Sequence, residues 1–534
     1  MRLETEPLLM RMVAPLASGQ FRRKPLILVG SVVVGGFAAY QCAQYVLTGD
    51  FVGLAFAGLA LVIGTVVVGI LNSWRNGVYL FLGWLMFEDL FRKFLGNNMA
   101  IYFAKDFLLL VVFISFLAAY KRGKARSFRP PFLVPLLLFV WFGFMQIFNP
   151  ASSTIWYGLM GAKIFFYYVP LIFIGYALFD SEVELRRFFV INLSLMSIIA
   201  CLGIAQSILG PSFLNPGIIA EDIRDLSTLY RVSTITGAMA YRPTSVFVST
   251  GRYGDFLMVA WLLVLGFGGY LLLRQKQGRS RIFVAIALIA TGAFLTTSRG
   301  SFMWSIINAT ATSIAFVWGA PWRQGEALRS FRSIQRAALA VVLGIVLLSF
   351  VFPDAFLSRL AIYEETLSPN SSTSELGHRT WYYPVRNFLG AFDYPRWPYG
   401  YGIGTTALGG QYVARFFGVK PTVGGVESGF GALVIEMGIG GLVLWIVMSA
   451  AIVFAGWKVL KKLKGTAWFP LGFVIFWYAF LLLFPATFAG IQAYEDFVLN
   501  AYLWLLLGIL FRLPDIKLSA QLEAAQLSAA APRR

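Results

Sequence analysis

The chain is poor in the residues that build metal centres and disulfide frameworks. Its 534 residues hold one histidine, His378, and two cysteines, Cys42 and Cys201. A lone histidine excludes a histidine-rich metal site, and two cysteines inside apolar runs offer neither a zinc cluster nor a disulfide scaffold. No metal ligand set is expected. Charge is scarce as well: only 13% of residues are Asp, Glu, Lys or Arg, against 58% hydrophobic. A water-soluble globule is thereby excluded. No P-loop and no dinucleotide fingerprint occurs, and the Gly-rich pairs at 402–404 and 438–441 follow no βαβ pattern. Those glycines read as tight turns and helix packing.

What the chain does have is a series of long apolar runs. About fourteen approach the ~20 residues that cross a ~30 Å hydrocarbon layer. They lie near 26–48, 51–71, 77–92, 100–120, 131–148, 160–179, 188–209, 253–273, 281–298, 301–318, 336–353, 429–456, 467–487 and 496–512. The runs do not alternate apolar with polar residues as barrel strands do, and only helices or closed barrels satisfy their backbone in lipid. The expected fold is an all-α polytopic integral membrane protein with a large loop before the twelfth helix.

The formal net charge of +19 does not indicate nucleic acid, because most of the 44 Lys and Arg sit in short loops between spans. The positive-inside bias of those loops predicts both termini in the cytoplasm. The clusters KRGKAR at 121–126 and KVLKKLK at 458–464 are the strongest anchors. They could bind anionic lipid, but topogenesis accounts for them. The N-terminal residues 1–25 then form a cytoplasmic segment, 26–353 a membrane domain, 429–512 a second membrane domain and 513–534 a cytoplasmic tail. The N-terminal run reads as an uncleaved first helix, and the tail as a short amphipathic helix fading into disorder. Two long segments, 210–252 and 354–428, face outward. The cytoplasmic loops leave no room for a nucleotide-binding domain, so chemistry is expected outside and without a cofactor.

Charges within spans are costly and point to function or to pairing. Glu88 and Asp89 lie at the same outer level as Lys105 and Asp106, as an ion pair between consecutive helices would. Lys163 starts the sixth span on that side, and Arg252 and Asp255 enter the eighth. Arg299 differs. It stands at an outward apex with no acid beside it in sequence, framed by Thr296, Thr297, Ser298 and Ser301, with Gly300 allowing a reversal. It could snorkel to the interface, yet a cation among hydroxyls is also a site for an anion. The outer loops add Arg242, Arg379 and Arg386 among Trp381, Tyr382, Tyr383, Tyr394, Trp397, Tyr399 and Tyr401. If 377–383 is helical, Arg379 and Tyr383 share a face, and Pro384 works against one helix running through Arg386. Guanidinium forks suit phosphate oxygens, and aromatic faces suit sugar rings. Glu427 precedes the twelfth span, where a carboxylate would cap a helix N-terminus.

These segments resemble the bacterial O-antigen ligase and O-antigen polymerase superfamily. LTTSRGSF at 295–302 is similar to that family's Ser-Arg-Gly segment. RTWYYPVRNFLGAFDYPRWPYGYGIG at 379–404 resembles its large periplasmic loop. ESGFGALVIEMGIGGLVLW at 427–445 resembles its loop-to-helix signature, with Glu427 where the ligases carry His. Weaker echoes are FEDLFR at 87–92, AKDFLL at 104–109, GAKIFFYYVPLIF at 161–173 and RPTSVF at 242–247.

The resemblance implies a metal-independent glycan transferase at the outer face of the bacterial inner membrane. Its donor would be an oligosaccharide on undecaprenyl diphosphate and its acceptor a saccharide hydroxyl. Arg299 and Arg379 would stabilise the departing diphosphate, Glu427 would act as base, and Arg242, Arg386, Tyr383, Ser298, Lys163 and Lys105 would bind substrate. His378 is the alternative base. The glutamate at 427 favours an exopolysaccharide-type polymerase or ligase over a lipid A core ligase, and polysaccharide-assembly partners fit such a role. The rival readings are a flippase of lipid-linked oligosaccharide and a scaffold of an assembly complex. Against the flippase, the cytoplasmic half lacks intramembrane charge and shows no inverted repeat.

Overall fold

A computed structural model of the chain describes residues 40, 44–45, 48, 51–96, 98–216, 229–233, 237, 239–274, 279–321, 339, 343, 346, 349–367, 382–407, 409–420, 423–490 and 494–530. The protein is largely helical, with a single two-stranded hairpin among the described residues. Nine described helical stretches are long and apolar enough to cross a membrane, and Leu133–Gln146 and Ser280–Leu295 are shorter apolar helices. The protein is thus polytopic and all-α in its membrane-length elements. The expected spans 26–48 and 336–353 fall largely outside the described residues.

Two compact units divide the chain, Met1–Gly77 and Val78–Arg534. The first carries α1 (Phe51–Asn72), whose sequence has no charge along its length. Helix α2 (Trp74–Phe94) begins in the first unit, and its residues from Val78 onward belong to the second. The second unit continues with α3 (Met99–Lys121), α4 (Leu133–Gln146), α5 (Ile155–Phe166), α6 (Leu171–Ala177) and α7 (Glu182–Leu209). The hairpin β1 (Tyr230–Val232) and β2 (Met239–Tyr241) is antiparallel, with Arg231 opposite Ala240. Then come α8 (Thr250–Arg274), α9 (Arg279–Leu295), α10 (Arg299–Gly319), α11 (Pro353–Leu367), α12 (Tyr383–Gly390) and α13 (Gly410–Phe417). The chain closes with α14 (Gly429–Leu463), α15 (Phe469–Leu483), the single turn α16 (Pro485–Phe488) and α17 (Phe497–Ala530).

Local signals set the helix ends. Ser181 caps α7, its hydroxyl accepting from the Glu184 amide at 3.3 Å, and Gly210 at φ 93° terminates it. This is the serine-before-glutamate start and glycine stop that free terminal amides and carbonyls favour. Pro170 separates α5 from α6, because proline disrupts an uninterrupted helix. Between apolar helices there is no hydrophobic drive in lipid, so close backbone approach has to supply the packing. It does so where α6 meets α17. A Cβ on Gly175 would stand 2.1 Å from the Leu505 carbonyl oxygen, and one on Gly508 2.1 Å from that of Ile172. The helix α17 runs on through Pro514 to Ala530. Its last part therefore continues the final span instead of forming a separate tail helix.

Helix α14 is broken. Gly438 adopts φ 69° and ψ −175° inside it, and the segment 397–407 docks against the break. The Tyr401 amide donates to the Ile435 carbonyl at 2.8 Å, Gly402 to Glu436 at 2.9 Å, and Ile439 to Trp397 at 3.1 Å. Backbone groups freed by the break are thus met by the loop, as they must be where water is absent. The buried Glu436 carboxylate locks the other side, accepting from the Thr406 amide at 3.0 Å and its hydroxyl at 2.7 Å.

Candidate functional site

The Arg299 apex is a short, tense connection. Helix α9 ends at Leu295, and the Thr296 hydroxyl donates back to the Ala293 carbonyl at 2.7 Å. Thr297 takes φ +50° with its side chain fully buried. Ser298 then caps α10, accepting from the Ser301 amide at 3.3 Å, and its own amide donates to Thr296 Oγ1 at 3.2 Å. A β-branched residue at positive φ is a steric outlier costing about 1–3 kcal/mol, and such strain collects at functional sites. Arg299 follows as the first residue of α10, 8% exposed. A distant acid stands beside it: Arg299 Nη2 lies 3.7 Å from Glu365 Oε1, while Glu365 Oε2 accepts from the Ser233 hydroxyl at 2.6 Å.

Arg242 is presented by a second strained segment. Its amide donates to the Leu229 carbonyl at 2.6 Å, directly after β2. Ser245, three residues on, has φ +50°. Two buried side chains hold this turn. Lys93 Nζ donates to Thr244 Oγ1 at 2.8 Å and to the Ser245 carbonyl at 2.7 Å. Gln206 Oε1 accepts from the amides of Thr244 at 2.9 Å and Ser245 at 2.7 Å. Among the described residues, the non-glycine positions at positive φ are Leu214, Ser245 and Thr297. Two of the three lie within three residues of Arg242 or Arg299.

Helix α11 lies over both segments. Arg359, 2% exposed, donates from Nε to the Leu295 carbonyl at 3.0 Å and from Nη2 to the Tyr241 carbonyl at 2.6 Å. One turn later the Tyr363 hydroxyl donates to the Phe294 carbonyl at 2.8 Å, and its ring stacks on Phe302 with centroids 4.3 Å apart. Burial pulls the Arg359 guanidinium down to about 10 and holds that of Arg242 below its ordinary value, with Tyr363 opposing in both cases. Burial likewise raises the Tyr363 phenol, against the pull of Arg359, a Thr296 hydrogen bond, Arg231 and Arg242. Arg359, Arg231 and Arg242 thus act on the Tyr363 phenol, and Arg299 stands beside Glu365, a residue of the same helix as Tyr363. Sequence reading found Arg242, Arg299 and Ser298. It missed Arg231, Arg359, Tyr363 and Glu365, although RLAIYEE at 359–365 puts Arg359 and Tyr363 on one helical face.

Glu427 stands on another segment, just ahead of α14. It is exposed, and Ser428 is the cap of α14, accepting from the Gly431 amide at 3.3 Å. Glu427 is therefore not the helix cap. Its Oε2 accepts a hydrogen bond from the Tyr383 hydroxyl. Tyr383 begins α12 with Pro384 in the first turn, where a missing amide costs nothing. Tyr382, Tyr383, Arg386, Asn387, Gly390 and Val426 line an open cleft of about 420 Å³. Arg379, with His378 and Trp381, lies outside the described residues.

Lys105 and Lys163 are each matched with an acid. Lys105 Nζ sits 2.9 Å from Glu88 Oε2 and 3.8 Å from the Tyr102 ring centroid. Lys163 Nζ is 2.6 Å from Asp106 Oδ2 and 4.4 Å from the same ring. Asp89 takes both Arg92 at 2.9 Å and Arg252 at 3.0 Å. In this cluster acid and base are interleaved. Among the described residues no group of His, Cys, Asp and Glu is arranged to hold a metal ion.

Fold and site together define a polytopic helical membrane protein with a half-buried, arginine-rich group at the end of two apolar helices. No protein-family model matches the chain, and no curated protein matches it.

Proposed function

We propose that the protein is a glycan transferase of the outer face of a bacterial inner membrane, moving an oligosaccharide from undecaprenyl diphosphate to a saccharide hydroxyl. It would act as a surface-polysaccharide polymerase or an O-antigen ligase-like enzyme, and it uses no cofactor. In this reading about fourteen helices cross the membrane, both termini are cytoplasmic, and 210–252 and 354–428 face outward. The observation that carries the proposal is that α11 brings Arg231, Arg242 and Arg359 to Tyr363 and sets Glu365 beside Arg299. Clustered guanidiniums suit the oxygens of a diphosphate, and low polarity around them strengthens its binding.

In the reaction, the acceptor oxygen bonds to the anomeric carbon as the bond from that carbon to the diphosphate oxygen breaks. The electron pair leaves on undecaprenyl diphosphate, whose growing charge Arg299 and Arg242 stabilise. Glu427 takes the acceptor proton, its carboxylate oriented by the Tyr383 hydroxyl. The adjacent cleft, with two tyrosines and Arg386, offers ring faces and a hydrogen-bonding fork to the acceptor sugar. Lys105 and Lys163, already paired, serve here as framework that holds the helices beneath the site.

The test is chemical complementation. In a bacterium deleted for this gene, lipid-linked oligosaccharide should accumulate and the finished glycan disappear. The wild-type gene should restore it and Arg299→Ala, at equal protein level, should not. An unchanged glycan profile in the deletion strain would defeat the proposal.

A further inference from the structure

Arg359 holds the two segments by their backbones. Its guanidinium reaches the Leu295 carbonyl, at the end of α9, and the Tyr241 carbonyl, at the end of β2. Arg242 is the next residue after Tyr241. Leu295 ends α9, and three residues, Thr296, Thr297 and Ser298, separate it from Arg299. The fork therefore spans the two places from which the site's arginines are presented. We infer that Arg359 is a positioning residue whose two backbone hydrogen bonds set the separation of Arg242 and Arg299.

Three further observations support this role. Both presented segments carry a strained residue, Ser245 and Thr297, and strain persists only where surrounding contacts over-determine the backbone. Helix α11 is seated by contacts of its own. Phe356 stacks on Phe294 at 5.6 Å between centroids, and Tyr363 bonds the Phe294 carbonyl. The anchor thus does not depend on Arg359 alone. Finally, a guanidinium can donate along two fixed directions, whereas an ammonium is a point charge on a flexible stem. Two carbonyls on different segments call for the fork.

The spacing can be measured without reference to any reaction. In a Cys42→Ser, Cys201→Ser background, nitroxides at Met239→Cys and Gly300→Cys report the separation by pulsed electron resonance. Met239 is 61% exposed, and a side chain at Gly300 meets nothing within 4 Å. The parent should give one narrow distance distribution. Arg359→Lys should broaden or shift it, and Phe356→Leu, which removes the ring stacked on Phe294, should leave it unchanged. An unchanged distribution in Arg359→Lys overturns the inference. So does an equal disturbance in Phe356→Leu, which would mean general loosening of α11.

The second arm rests on the proposed anion site and uses inorganic pyrophosphate as probe on the purified full-length protein in nanodiscs. Arg359→Lys should weaken binding roughly tenfold or more, because small misplacements of oriented groups are costly. Phe356→Leu should stay within about twofold, as loss of a contact outside the pair predicts. Wild-type binding by Arg359→Lys would overturn the positioning role. If the parent protein itself binds no pyrophosphate, the anion-site reading fails, while the distance measurement still decides whether Arg359 sets the spacing.

Discussion

Arg299 and Glu427 carry the chemistry proposed for single residues, and their surroundings differ. Arg299 is nearly enclosed, next to Glu365, whereas Glu427 is exposed and held by one phenol. Arg299→Ala should lower transfer by about 10²–10³-fold, the usual loss when one donor to a developing oxyanion is removed. Arg299→Lys should recover little of it, since a point charge loses the two-point grip. A transfer assay at matched protein level checks both. For Glu427, glutamine keeps the shape and the acceptor oxygen for Tyr383 but cannot take a proton near neutral pH. Glu427→Gln should therefore accumulate normally, bind donor and form little product. Glu427→His should regain part of the activity, because imidazole titrates in range. His378→Ala should retain substantial turnover. An active Glu427→Gln together with an inactive His378→Ala would move the base to His378.

At the scale of the element, the break in α14 is the feature that most constrains the loop before it. A methyl group at Gly438 would lie 2.4 Å from the Pro398 carbonyl oxygen, at a φ that suits glycine. Gly438→Ala should thus cost about 2 kcal/mol or more, combining backbone strain with the clash. It should lower the unfolding temperature in detergent, and a wild-type midpoint would show that the loop does not dock at the break. How much of this was legible beforehand depends on the range of the interaction. Apolar length marks α3, α7, α8, α14 and α15 directly, because burial in lipid is read residue by residue. The Ser-Arg-Gly apex was visible from its local composition. Glu365 and Arg359 were not, since the pairing of Glu365 with Arg299 and of Arg359 with Leu295 and Tyr241 joins segments far apart in sequence. Nor was the role of Ser428 as cap clear, for Glu427 beside it is equally suited by charge. The glycine pair at 402–404 reads as a turn, which it is, yet the docking of this loop at Gly438 needed the structure.

For the whole molecule, the placement of basic loops predicts which side each segment faces. Tyr399, 78% exposed, lies in the long loop, and Lys124 is exposed in the basic segment after α3. In a background lacking Cys42 and Cys201, a cysteine at Tyr399 should react with an impermeant maleimide added to intact spheroplasts. One at Lys124 should react only after the membrane is opened. The reverse pattern would put the arginine group's loops in the cytoplasm, away from a donor presented at the outer face. The account's central claim, however, is a transfer that discharges undecaprenyl diphosphate. It is tested most directly by purified protein in proteoliposomes, given its lipid-linked oligosaccharide and acceptor in buffer containing a metal chelator. The account predicts release of undecaprenyl diphosphate in step with formation of lengthened glycan, and loss of both with Arg299→Ala. Intact donor that merely moves between leaflets, or release unaffected by Arg299→Ala, would contradict it.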